Sequence, residues 1–177
     1  MSAYFLLLLA IISRVVPHPD WLNFTAVGGS LLFFGARRPL RQIWLPVAAL
    51  AITDYYLTAF FYRYPFHVSD YLLTWAWHAA VIVFAHFLLA KKITAARVAA
   101  GVVITPTSFF LITNFAAWIA NPTLYPRSLA GLGMSYVAGL PFYRNDLIST
   151  AAVAGLAFGI PVLARQLSTP HNRIAGA

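Results

Sequence analysis

The sequence predicts an all-α integral membrane bundle of about six transmembrane helices, forming a single domain over residues 1–177. Three observations predict it. Hydrophobic residues fill 61% of the 177 positions and charged residues only 9%, against about 25% charged in soluble domains. Mean hydropathy is +0.76. The apolar residues also fall into six runs divided by short basic, proline-containing or aromatic segments. One bundle uses the whole length and leaves no room for a soluble nucleotide-binding domain. Neither a GxxxxGK[ST] phosphate loop nor a GxGxxG turn occurs.

The first run, Ser2 to Val16, ends at Pro17-His18-Pro19, which cannot continue a helix. It lacks a basic start and a small-residue cleavage site, so it is expected to stay as a helix rather than leave as a signal peptide. The second run, Phe24 to Ala36, is as short as the first. Such runs thin the bilayer, extend into their flanks, or form a re-entrant pair. Runs three to five, Ile43 to Tyr62, Leu72 to Ala90 and Val98 to Ile119, are each long enough to cross a core of roughly 30 Å. The sixth is Leu147 to Ala164. Before it lies a long stretch from Asn121 to Asp146, with turn signals at Asn121-Pro122 and Leu140-Pro141. Its glycines, Gly131, Gly133 and Gly139, suggest an interfacial helix or lid rather than a seventh span. Arg144-Asn145-Asp146 reads as a capped start of the last helix.

Ten Arg, two Lys and four Asp, with no Glu, give a net charge of +8. Arg37, Arg38, Arg41, Lys91, Lys92, Arg97, Arg165 and Arg173 fall on one side if the six runs alternate. Arg14, Arg63, Arg127 and Arg144 fall on the other. This asymmetry predicts a multi-pass protein of the cell (inner) membrane with cytoplasmic N- and C-termini. The outer side then collects Asp20, Asp70 and Asp146 with many aromatics, His, Asn and Pro; an aromatic belt with loop capping and an outer-facing binding site account for this equally well. With no cysteine, the chain has no disulfide, thiolate metal site or iron–sulfur cluster.

Asp54 is the one acid inside an apolar span, and an ionisable group there is expensive unless it is used or paired. Val47, Ala51, Asp54, Thr58 and Tyr62 form a small and polar stripe expected to face the bundle interior. Asp54 then contacts a solute or cation in an outward cavity, or pairs with an Arg or His of the bundle. Run four places Trp75 and His78 on one face, suited to an aromatic pocket. His78 and His86 are eight residues apart, too far to share one metal on a continuous helix. Run five offers Thr107, Asn114 and Trp118, for ligand contact or for helix–helix hydrogen bonds. Arg144 is a candidate partner for a solute carboxylate or a loop acid. Ala151, Gly155 and Gly159 make a small-residue stripe for internal packing or, second, partner docking. No HExxH motif, carboxylate pair or complete nucleophile turn is present, so no enzyme activity is expected.

Pro17-His18-Pro19, Asn23-Phe24-Thr25-Ala26-Val27-Gly28-Gly29 and Leu32-Phe33-Phe34-Gly35-Ala36, followed by Thr53-Asp54-Tyr55-Tyr56, resemble a bacterial membrane family of unknown function described as transport proteins. Its common first motif is close to PHPPNFTPVGALALFGGAYF. Here Asp20-Trp21-Leu22 replaces the simpler spacing, and Ala26 stands where Pro is usual. The chain is also similar in size and span count to the S component of an energy-coupling-factor transporter. That resemblance implies capture of a small solute from outside, with a transmembrane coupling protein and ATPases supplying transport. It departs from that group in lacking an AxxxA docking stripe, since Ala3 and Ala10 are seven apart. The expected function is therefore S-component-like solute binding through Asp54, Trp75, His78, Asn114 and Arg144, with no metal or cofactor and no nucleic acid. The rival is an accessory or structural subunit of a larger membrane complex, with haem on His78 or His86 as its redox variant.

Overall fold

A computed structural model describes residues 1–16 and 22–168, with the backbone alone for 162–168. Pro17-His18-Pro19, Asp20, Trp21 and Arg173 lie outside the described residues, and Arg165 is described only by its backbone.

Among the described residues the chain forms α1 (Ser2–Val15), α2 (Val27–Arg37), α3 (Trp44–Tyr56), α4 (Leu72–Leu89), α5 (Ala95–Ala120) and α6 (Leu129–Ser168), with no strand. A 3-10 turn at Leu40–Gln42 leads into α3, and a π turn at Leu57–Phe61 prolongs it. Three stretches, Leu40–Phe61, Leu72–Leu89 and Ala95–Ala120, are long and apolar enough to cross a membrane. α5 starts at a true cap: Thr94 Oγ1 accepts from the Arg97 N–H at 3.3 Å.

α2 is the axis of the bundle. Every residue from Val27 to Ala36 is buried, between α1, α4, α5 and α6. Its glycines make this possible. A Cβ on Gly29 would stand 2.7 Å from the Val153 Cβ and 2.9 Å from the Ala154 nitrogen; one on Gly35 would stand 2.4 Å from the Ile82 carbonyl oxygen. Helix backbones approach this closely only where side chains are missing. His86 adds a hydrogen bond between its Nδ1 and the Gly35 carbonyl, at 3.2 Å.

The last helix corrects the expectation of a separate lid. α6 runs unbroken from Leu129, through Pro141, so Arg144-Asn145-Asp146 lies mid-helix and caps nothing. Packing against α5 holds the early part in place. The Tyr136 hydroxyl donates to the Leu111 carbonyl at 3.1 Å, the Thr107 and Tyr143 hydroxyls pair at 3.0 Å, and Phe110 contacts both tyrosine rings. Gly139 admits the Asn114 side chain, whose Oδ1 a Cβ would meet at 2.4 Å. Gly139, which reads as loop in water, serves here as a helix contact.

Helix lengths then shape the molecule. With 14 and 11 residues, α1 and α2 are roughly 21 and 16 Å long. At one end Tyr4 and Arg38 both donate to Gln42 Oε1, at 3.0 and 2.8 Å. From there the α1–α2 pair rises only part of the way along α3 and α4. Arg14, in the last turn of α1, meets Asp54. Beyond that level the Leu40–Phe61 stretch continues to Phe61, roughly 10 Å further at helical rise. The short pair stops and the long helices do not, which leaves a recess.

Candidate functional site

The floor of the recess is an ion pair. Arg14 Nη2 donates to Asp54 Oδ1, and Trp75 Nε1 donates to Asp54 Oδ2 at 2.8 Å. Asp54 is 3% exposed, so both of its oxygens are satisfied inside the protein, as a buried carboxylate requires. The buried stripe of this helix is Pro46, Leu50, Thr53, Asp54 and Leu57; Val47 and Ala51 are half-buried and Tyr62 is exposed.

Above the floor lies a cavity of about 580 Å³. The π turn forms one wall, closed by the Tyr62 N–H to the Leu57 carbonyl at 2.7 Å. Such wide turns in helices often mark functional sites. Leu57, Thr58 and Tyr62 all face the cavity, and Tyr64, Asp70 and Tyr71 continue the rim. Arg63 turns the chain there with φ 58°, and Asn23 adopts φ 59° on the opposite side. Asn tolerates this left-handed region better than most residues, and Asn23 lines the cavity. Behind the rim, the rings of Phe66, Tyr71 and Trp75 lie in near-parallel layers, 5.0 Å apart for Phe66–Tyr71 and 5.9 Å for Tyr71–Trp75.

A second, smaller chamber of about 80 Å³ shares Arg14, Asn23 and Thr25 with the first and adds Thr74, His78 and Asp146. His78 is 3% exposed and Asp146 8% exposed. The His78 Nδ1 and the Arg14 Nη1 are buried without a protein partner. Among the described residues no three His or Asp side chains gather closely enough to hold a metal ion.

Of the residues singled out in the sequence, the fold brings Asp54, Trp75 and His78 to one place. Asn114 sits in the α5–α6 contact, its Nδ2 donating to the Phe110 carbonyl at 2.8 Å, beside a gap of about 30 Å³. Thr107 and Trp118 likewise serve the hairpin, Trp118 Nε1 donating to the Pro126 carbonyl at 2.9 Å. Arg144 is exposed on α6 and lines neither cavity nor chamber. The residues that sequence reasoning missed are Arg14 and Asp146. A signal for Arg14 existed: a lone acid in a span needs a base, and the short first run carries one near its end. Gly155 and Gly159 do not pack internally, since a Cβ on either would meet nothing within 4 Å. They line an apolar groove of about 620 Å³ between α5 and α6.

Fold and site together define an all-helical bundle with three membrane-length helices and a charged, aromatic-rimmed recess above two short ones. The chain belongs to DUF6580, a family of unknown function whose model matches residues 1–171. No curated protein and no solved structure matches it.

Proposed function

We propose that this protein is a multi-pass protein of the cell inner membrane, with cytoplasmic termini, that binds a small solute from the outer side for uptake. In this reading it acts like an S component, with a transmembrane coupling protein and ATPases on other chains supplying the energy. The observation that carries the reading is the recess of about 580 Å³ with the Arg14–Asp54 pair as its floor. Half-length helices ending at a site among membrane-length ones are a recurring transporter arrangement. The recess is polar where it is deep and aromatic at its rim, as small-molecule sites tend to be. Likeness to S components rests on size and span count.

The lining also favours a solute class. The chain has four acids against twelve bases. Asp54 and Asp70 line the recess and Asp146 the chamber beneath it, with Arg14 the one Arg or Lys among the described lining residues of either. Carboxylates with the faces of Tyr62, Tyr64 and Tyr71 suit a cationic, ring-bearing solute. Among the described residues no nucleophile is paired with a base there, which favours binding over catalysis.

Asp54→Asn is expected to weaken solute binding at least tenfold while leaving the bundle folded. Solute titration alongside a thermal melt checks this; normal binding with only a lowered melting point would make Asp54 a structural residue. A second reading, an accessory subunit of a larger membrane complex, is favoured by the open groove at Gly155 and Gly159, where a partner's transmembrane helix could approach closely. Native mass spectrometry of protein extracted gently from its host membrane separates the two. A small-molecule adduct supports uptake, and a ligand-free chain held stoichiometrically in a larger complex supports the accessory role.

A further inference from the structure

The small chamber beneath the recess carries an unbalanced charge. From α1 it receives Arg14, from α4 His78 and from α6 Asp146; α2 and α5 bring only Val27, Gly28 and Phe109. Arg14 is already committed to Asp54 of α3 through Nη2. Asp146 therefore has no ion-pair partner among the described residues. Among the described residues Asp146 has one weak side-chain partner, the Thr150 hydroxyl at 3.4 Å. A buried carboxylate so poorly matched is costly, and intramembrane acids of this kind mark proton paths and ion sites. Across the same chamber, the His78 Nδ1 and the Arg14 Nη1 are both buried and unpartnered. The volume of about 80 Å³ gives room for two waters at about 30 Å³ each. Such waters would link these nitrogens to Asp146.

We propose that the chamber is a proton site: one exchangeable proton rests between Asp146 and His78 and supplies the missing positive charge. The site stands on this charge balance and does not need a solute. Its coupling to a solute rests on the uptake reading above. When a cation reaches Asp54, it replaces Arg14 as that carboxylate's partner. The Arg14 guanidinium turns to Asp146. The O–H bond of Asp146 breaks, and its proton passes by chamber water or His78 Nδ1 to the recess and out. One positive charge enters and one leaves. Solute uptake would then exchange with a proton.

Infrared titration of the whole protein in lipid bilayers, without solute, tests the site. The chain has four Asp and no Glu, so single variants can assign every side-chain carboxyl band. The expected result is a carbonyl stretch of a protonated carboxyl that disappears as pH rises, is lost in Asp146→Asn, and changes frequency in Asp146→Glu. Asp54→Asn frees Arg14 for Asp146, so in that variant the same band should survive only to lower pH. His78→Gln should also move the midpoint down by removing the second acceptor. A titrating band that is unchanged in both Asp146 variants, or that vanishes at every pH in Asp54→Asn, would overturn the proposal, as would the absence of any such band. Asp146→Glu and His78→Gln keep the test open if Asp146→Asn does not fold. A failed titration leaves the solute recess untouched, and a failed solute assay leaves the proton site untouched.

Discussion

Asp54 is held by two donors of different kinds, and removing each has a different cost. Trp75→Phe keeps the ring layer with Phe66 and Tyr71 but deletes the Nε1–H donor. It should destabilise by about 1–3 kcal/mol, the usual cost of a lost partner for a buried polar atom. Arg14→Leu leaves the carboxylate without its counter-charge and should cost more, about 3–5 kcal/mol. Pairing Arg14→Leu with Asp54→Leu should recover most of that loss, because apolar side chains of similar volume remove the buried charges together; under the proposed uptake function it should also abolish solute binding. Unfolding in detergent measures all three variants; a double variant no more stable than Arg14→Leu would show that the pair does not set stability. Asp54 was legible in the sequence because an acid in an apolar run has few explanations. Arg14 was legible only in part: a lone acid calls for a base, but a base at the end of a run looks like a loop charge until the fold brings it to Asp54. Asp146 was hidden by its neighbours: after Pro141, Asn145-Asp146 has the composition of a helix cap, and only the α5 contact shows that the helix is already under way.

Glycine carries opposite meanings on two helices, and substitution should separate them. On α2, Gly29→Ala and Gly35→Ala push a Cβ into backbone atoms at 2.9 and 2.4 Å. Each is expected to destabilise by about 1–3 kcal/mol, since well-packed cores cannot absorb added volume. On α6, Gly155→Ala and Gly159→Ala meet open space and should be neutral or stabilising by about 0.5–1 kcal/mol through helix propensity. Thermal melts of the four variants give the ranking directly. Apolar run length located α3, α4 and α5 to within a few residues, since a run of that length has few other folds open to it. It failed for α6, where glycine and proline signal turns in water but a facing helix satisfies the backbone instead. Small-residue spacing in the sequence likewise suggested internal packing at Gly155 and Gly159, whereas the close contacts fall at Gly28, Gly29 and Gly35. Spacing shows that close approach is possible, and the three-dimensional neighbour decides where it happens.

At the scale of the whole molecule, the recess opens beside the rim formed by Tyr62, Tyr64, Asp70 and Tyr71, while Tyr4, Arg38 and Gln42 meet at the other end. The absence of cysteine makes this polarity simple to test. Single cysteines at Tyr64 or Asp70 should react with a membrane-impermeant maleimide from outside intact cells, and cysteines at Arg38 or Lys92 only after permeabilisation. The reverse pattern would invert the proposed orientation and place the recess on the cytoplasmic side. The burial of α2 from Val27 to Ala36 has a further consequence, for the order in which the protein is made. Eleven residues cannot hold themselves across a bilayer, and the glycine faces of α2 have nothing to grip until α4 and α6 exist. The α1–α2 pair leaves the ribosome before those partners, yet it can settle only after them. In the bilayer setting proposed above, biogenesis would therefore run against chain order, with the long helices inserting first and the pair that builds the floor of the recess docking last. A chain cut short before α6 should be recognised as unfinished and degraded.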